Sequence, residues 1–504
     1  MFRAGFIVMG INMLSRLLGL IREILVAYFY GSSGLTDAYF ASAKISNFFT
    51  TLLGEGSLGT VFIPLYTEKK EKLGIKSANE FVYSIMNLVF NFTLTTSIIT
   101  IIFSRFILKY LIGFNDAQRI ETANILLKIM AGYLIFIALS GVVASFLNNH
   151  KKFIVSTSTA LVFNITIIVG TLLSYKTIGI YGLGISFLLS GIFQFLMQLP
   201  MFFKIIKEYK FMINLKDPYV KEFFKLMFPT LIGIFGYQIN ELIDTNFAAF
   251  LKVGTISAIN YASRLYLLPV GVFAISLSVV IFPSLTIAVV KENDKLKKSI
   301  FIRGLNMLAF LIIPSMIVLF FYSKDIISLI FGYGRFKKDS IIMTAEILKC
   351  YSIGLLFFST NHLLTRAHYV HKDRKIPVFA SFFSIMINVL LDYLLYKRYT
   401  HMGITLATST AAMVNFIILF ISTRTRYINF SIIKYFLFII KTLIISIICL
   451  VISKHFTNIF LKLLIFALVY FALWSYEIIN KKQNCLIERR KKHEKSFIYA
   501  SYIK

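Results

Sequence analysis

The chain has little of what a soluble enzyme uses. It carries three cysteines in 504 residues, Cys350, Cys449 and Cys485, far apart and without a CxxC spacing. That excludes a disulfide framework and a zinc-finger type of site. Acidic residues number 23 against 53 basic ones, and charged residues together make only 15% of the sequence. So small a charged fraction, with 58% hydrophobic residues and a mean hydropathy of +0.77, lies outside the range of soluble globular domains. No P-loop, GxSxG or HExxH occurs, so ATP-driven pumping and hydrolysis have no local support. The first hydrophobic segment is too long, and too interrupted by arginine, for a cleaved signal peptide, and reads as a retained helix. Aromatics and bases are not interleaved as in a single-strand groove, so the net charge of +30 does not point to nucleic acid.

What the chain has is long apolar runs, about 20 residues each, recurring along its whole length. They place spans near 6–30, 38–65, 80–104, 122–147, 153–175, 180–204, 223–250, 256–288, 298–322, 341–366, 376–396, 403–422, 433–452 and 458–479. The expected fold is an all-α polytopic membrane protein of about fourteen helices, since the runs are continuous rather than alternating. With the N-terminus inside, the inner connections carry about twice as many Lys and Arg as the outer ones. Both termini are therefore expected in the cytoplasm.

The most polar internal stretch, 205–222, follows six expected spans and reads either as a link between two lobes or as an interfacial helix. A weak repeat agrees with a division there. Phe40-Ala41-Ser42 opens a span ending at Val61-Phe62-Ile63-Pro64, and Tyr261-Ala262-Ser263 opens one ending at Val280-Ile281-Phe282-Pro283. The copies share orientation, as in transporters whose halves rock about a central site. The expected units are an N-lobe (1–204), a linker (205–222), a C-lobe (223–422), an appended pair (423–480) and a basic tail (481–504).

Against this apolar background a few polar residues stand out. Arg16 and Arg22 lie in the first span, Asp37, Lys44 and Glu55 in the second, and Arg264 just after the repeated Ala-Ser of the eighth. A cation in hydrocarbon costs roughly 3 kcal/mol. Arg16 and Arg22 could snorkel, or pair with Glu23 and Asp37, or face a wet cavity that receives an anion. In the last case arginines from both lobes could clamp a diphosphate through bidentate contacts. A second group has the opposite sign. Asn388 and Asp392 are one helical turn apart, and Asp244 and Thr408 are further intramembrane oxygens. Such oxygens suit an alkali cation, or simply hydrogen-bond helices together.

At Ser15-Arg16-Leu17-Leu18-Gly19-Leu20-Ile21-Arg22-Glu23 and Thr36-Asp37-Ala38-Tyr39-Phe40 the chain resembles the MurJ (MviN) lipid II flippases. The likeness continues through Lys44-Ile45-Ser46-Asn47, Gly54-Glu55-Gly56-Ser57 and Tyr261-Ala262-Ser263-Arg264-Leu265. It runs on to Asn388-Val389-Leu390-Leu391-Asp392 and Gly403-Ile404-Thr405-Leu406-Ala407-Thr408, covering the first twelve spans in order. The resemblance implies the multidrug/oligosaccharidyl-lipid/polysaccharide (MOP) exporter fold, with two six-helix lobes and two added helices that form a groove for a lipid tail. It puts substrate-binding residues at Arg16, Arg22, Asp37, Arg264, Lys44, Asn47 and Glu55. It puts a sodium site at Asp244, Asn388, Asp392 and Thr408, with the Ile404 carbonyl. Five positions depart from the family pattern: Thr50-Thr51 stand where many members carry one or two arginines, Ser46 for proline, Glu23 for aspartate, and Ser263 for an acidic residue.

The function this implies is transport of lipid II, the undecaprenyl-diphosphate-linked peptidoglycan precursor, across a bacterial inner membrane by alternating access. No cofactor is expected, and sodium is the candidate coupling ion. Expected partners are lipid II, membrane lipids and other cell-wall synthesis proteins, with the chain itself a monomer. The alternatives are a flippase for another polyprenyl-diphosphate oligosaccharide, a drug/cation antiporter of the same superfamily, and a membrane glycosyltransferase. An antiporter should present acids in its cavity, and a glycosyltransferase needs a carboxylate-bearing outer loop; here the outer loops are short.

Overall fold

The structure, a computed structural model, describes residues 2–53 and 57–475, with side chains described outside 2–6, 49–50, 52–53, 57 and 229–237. Glu55, Cys485 and the basic tail lie outside the described residues. Among the described residues there is helix and turn and no strand. The first half comprises α1 (Phe2–Tyr30), α2 (Gly34–Leu53), α3 (Ser57–Ile102), α4 (Ser104–Phe106), α5 (Ala117–Ala131), α6 (Tyr133–Asn149), α7 (Phe153–Ser174) and α8 (Ile180–Ile206). The second comprises α9 (Pro218–Ala249), α10 (Thr255–Pro269), α11 (Ser276–Val290), α12 (Asp294–Phe321), α13 (Ser323–Phe331), α14 (Lys338–Val370) and α15 (Lys375–Arg426). The appended pair is α16 (Ile432–Lys454) and α17 (Ile459–Ser475).

Nine helical segments among the described residues are long and apolar enough to cross a membrane, fewer than the fourteen expected spans. Part of the difference lies in spans joined without a break. The 52 residues of α15 would run about 78 Å if straight, against a hydrocarbon core of about 30 Å. They reverse instead at Thr400 (φ 52°). A Cβ on Gly403 would stand 2.5 Å from the Leu395 carbonyl oxygen, and Ser384 Oγ donates to the Ala411 carbonyl at 2.6 Å. α15 is therefore a hairpin of two antiparallel legs. α3 folds back likewise at Gly74 (φ 81°), so that Phe62 stacks on Phe81 at 5.5 Å.

The faces are inverted relative to a soluble bundle. α7 exposes Ile165, Val169, Leu172 and Leu173 while burying Asn164 and Thr171. Repeated around the bundle, as at Val279, Val280, Ile444 and Leu468, this leaves an apolar exterior that is stable only against hydrocarbon. The chain is an integral membrane protein.

Residues 207–214 are not the interfacial helix that polarity alone allowed. Their backbone is held by the first half: Tyr83 Oη donates to the Glu208 carbonyl (2.5 Å), Asn87 Nδ2 to the Met212 carbonyl (2.9 Å), and Asn214 N to Ser84 Oγ (3.2 Å). Lys69 pairs with Asp217, which caps α9 ahead of Pro218. The start of α9 consequently packs on the first half, Phe81 against Phe223 at 6.3 Å, while its end joins the second half. α16 and α17 dock on α12: Tyr470 Oη donates to the Phe310 carbonyl at 2.6 Å, and Trp474 meets Phe310 edge-on at 5.2 Å.

Candidate functional site

The seam between the halves holds the charged residues that the apolar background singled out. Arg22 and Glu23 are neighbours on α1, and Glu23 is the hub. Its Oε1 accepts from Arg22 Nη2 at 2.6 Å and lies 3.4 Å from Arg264 Nε on α10; its Oε2 accepts from Asn260 Nδ2 at 3.3 Å. Arg22 Nη1 donates to Asn164 Oδ1 at 3.1 Å, and the guanidinium sits 5.1 Å from the Phe163 ring centre. Arg22 is thus a buried, paired cation rather than an open arm of a cavity. The Arg264 side chain is 44% exposed, and Arg16 is exposed. Arg16 also crosses the seam: its Nη1 would be 1.7 Å from a Cβ on Gly271, in the π turn Val270–Ile275 that continues α10. One carboxylate shared by two guanidiniums leaves one positive charge unbalanced, and Arg16 adds a second. Such a site suits an anion with two charges.

One end of the seam is closed by Asp37. Buried in the first turn of α2, it accepts from Gly254 N (2.6 Å), Ser257 N (2.9 Å) and Ser257 Oγ (2.5 Å). It supplies the carboxylate that the N-terminus of α10 wants from across the seam. Around it Ser32 Oγ donates to the Gly254 carbonyl (2.7 Å), Thr36 Oγ1 to Ser257 Oγ (3.0 Å), Tyr261 Oη to the Gly31 carbonyl (3.0 Å), and Arg335 N to the Tyr28 carbonyl (2.9 Å). Gly254 has φ +94°, and a Cβ there would stand 2.9 Å from the Ser32 carbonyl oxygen; only glycine fits. Asp37 therefore does not face the Arg16–Arg264 region here. Lys44 also bridges the halves, Nζ donating to Thr245 Oγ1 at 2.9 Å. Asn47 is exposed, and Glu55 lies outside the described residues.

The oxygen cluster does assemble. Asn388 Nδ2 donates to Asp244 Oδ1 at 2.7 Å and to Asp392 Oδ2 at 3.1 Å, and Thr408 Oγ1 lies 3.3 Å from Asp244 Oδ2. Thr408 also donates to the Ile404 carbonyl at 3.0 Å. Asp244, Asn388 and Asp392 are buried, and Asn388 Oδ1 and Asp392 Oδ1 have no hydrogen-bond donor. Two buried carboxylates sharing one amide, beside two orphaned acceptors, call for a cation or a proton between them. The all-oxygen donor set fits an alkali cation. Among the described residues no group of three His, Cys, Asp or Glu gathers for a transition metal.

Sequence reasoning left out Asn164, Asn260, Ser257 and Arg119. Asn164 and Asn260 had a signal, each as the lone amide of its apolar span. Ser257 and Arg119 meet Asp37 only across long sequence separations.

The matches to known proteins identify the family. The family model described as "Lipid II flippase MurJ" matches residues 26–471. A probable lipid II flippase MurJ from Buchnera aphidicola (subspecies Acyrthosiphon pisum) is 34% identical, the match covering 81% of each chain. The lipid II flippase MurJ of Burkholderia cenocepacia is 29% identical over 84% of each. A solved structure of lipid II flippase MurJ in an inward closed conformation superposes with TM-score 0.83 at 30% identity, covering 94% of this chain and 99% of that one. An inward-facing multidrug MATE-family transporter of the MOP superfamily shares the fold, with TM-score 0.72 at 12% identity over 84% of this chain and 97% of its own. With its family model matched across both halves and the appended pair, the chain belongs to the lipid II flippase MurJ family.

Proposed function

We propose that this protein carries lipid II from the inner to the outer leaflet of the bacterial cytoplasmic membrane by alternating access. The observation that carries this reading is the Arg22–Glu23–Arg264 cluster with Arg16 beside it. It gathers guanidiniums from both halves at their seam and leaves them with excess positive charge. The diphosphate binds Arg16 and Arg264, displacing part of the Glu23 contact, while the polyprenyl tail stays in lipid along α16 and α17. Because Glu23 ties the two halves together, diphosphate that competes for its arginines loosens the seam as it binds. Binding and rocking are thereby coupled.

An inside-negative potential favours outward movement of the anionic headgroup, by about 2.3 kcal/mol per charge per 100 mV. Asp244, Asn388, Asp392, Thr408 and the Ile404 carbonyl would hold sodium, which supplies a counter-charge that biases one state of the second half. Cationic character at the seam argues against a drug/cation antiporter, whose cavity needs acids. A lipid-linked oligosaccharide of another kind would meet the same diphosphate contacts. The test is depletion of the protein in cells, followed by labelling of lipid II in the outer leaflet. A fall in labelling is expected, and unchanged labelling rejects the assignment.

A further inference from the structure

Behind the Asp37 closure stands a cation with two carboxylates near it and two buried donors that make no hydrogen bond. Arg119, in the first turn of α5, has a side chain only 11% exposed, with its Nε and Nη1 buried and without hydrogen-bond acceptors. Its Nη1 lies 4.0 Å from Asp37 Oδ2, just beyond hydrogen-bond reach. The guanidinium rests 5.2 Å from the ring centre of buried Phe114, and its Nε is 3.5 Å from Asp116 Oδ2. The Arg119 stem lies beside Gly34, where a Cβ would meet Arg119 Cγ at 3.3 Å and, from the second half, Val253 at 3.5 Å.

The asymmetry is informative. All three donors that Asp37 uses, Gly254 N, Ser257 N and Ser257 Oγ, belong to the second half. Arg119 belongs to the first, with Asp37 itself. When the halves separate at this end, α10 withdraws its donors and Arg119 stays. A buried carboxylate stripped of three hydrogen bonds is costly, and a guanidinium already within 4.0 Å removes most of that cost after a small side-chain rotation.

We infer that Arg119 is a positioning residue that receives Asp37 when this end of the seam opens. The carboxylate is handed from the α10 amides to Arg119 Nε and Nη1, which lowers the free energy of the open state. The inference rests on the alternating-access reading.

The test places nitroxide labels at Tyr110→Cys and Tyr333→Cys, exposed positions on opposite halves near this end, in a Cys485→Ser background reconstituted in liposomes. Two distance populations are expected for the parent. Arg119→Gln should reduce the longer one about tenfold, since a hydrogen bond to a charged group is at stake. Arg119→Lys keeps the charge but loses the fork, and should reduce it less. In an Asp37→Asn background Arg119→Gln should change nothing further. An unchanged or enlarged longer population in Arg119→Gln overturns the inference, as does a parent with only the short distance. If Arg119→Gln does not fold, an unchanged distribution in Arg119→Lys overturns it. Lipid II translocation is measured on the same liposomes. Distances that shift as described without any translocation in the parent refute the flippase reading alone; translocation without the shifts refutes only the hand-over.

Discussion

Replacing Glu23 with glutamine removes the charge at the hub while keeping its shape. The two arms differ in worth. The Arg22 pair is 2.6 Å long, and its side chains are 11% and 2% exposed. Gross Coulomb attraction at that distance is about 6 kcal/mol for an effective dielectric near 20. Most of it offsets desolvation, and removing one partner of such a buried pair costs about 3 kcal/mol. The Arg264 arm is 3.4 Å long with that side chain 44% exposed, so screening leaves it at most about 1 kcal/mol. Asn164 still accepts from Arg22 in the variant, which keeps the total near the lower figure. A loss of about 3 kcal/mol should lower thermal stability in detergent clearly, since it corresponds to roughly a hundredfold change in equilibrium. Freed from its carboxylate, Arg264 should bind a diphosphate lipid more tightly while translocation slows, because the tie between halves is gone. Thermal denaturation and a binding titration with undecaprenyl diphosphate measure both effects. Unchanged stability together with unchanged affinity would refute the hub role of Glu23.

Gly271→Ala should push Arg16 aside, because the new methyl would overlap Nη1. About a tenfold weaker diphosphate affinity is expected in the same titration, with Arg16→Ala adding little on top. Asp392→Asn should abolish sodium-specific thermal stabilisation; sodium and potassium should then act alike, whereas the parent should prefer sodium. Asp373, in the turn between α14 and α15, has its pKa lowered from the usual 3.8 to about 2. Burial opposes this, but hydrogen bonds from Tyr427, His368 and the backbone of Ile376 and Lys375 outweigh it. The carboxylate is the favoured folded form, so its stabilisation is fully present above about pH 4 and is lost as pH falls towards about 2. Asp373→Asn should flatten thermal stability across that window, and a curve identical to the parent's would contradict it.

Much of this architecture was legible in the residues. Continuous apolar runs located helices because hydrocarbon leaves the backbone no alternative. Arginines inside those runs were legible as cations needing a partner or water, and they gather at the seam with Glu23 between two of them. Asn388 and Asp392 were readable as partners because one helical turn aligns them. What was not legible depends on contacts between halves. Asp37 looked like a substrate ligand, and only the register of α2 against α10 shows that backbone amides 217 and 220 residues away occupy it. Glu23 was visible as a neighbour of Arg22, but its reach to Arg264 and Asn260 is a property of the assembled seam. The 207–214 stretch carries an interfacial helix's polarity, and Asn87, Tyr83 and Ser84 capture its backbone instead.

The most direct measurement compares the affinity of the purified protein for undecaprenyl diphosphate and undecaprenyl monophosphate, in the parent and in Arg16→Ala and Arg264→Ala. A seam built to grip two phosphoryl groups binds the diphosphate more tightly, and each substitution shrinks that preference. Equal affinity for the two lipids in the parent, or a preference untouched by both substitutions, would contradict a guanidinium grip on the headgroup.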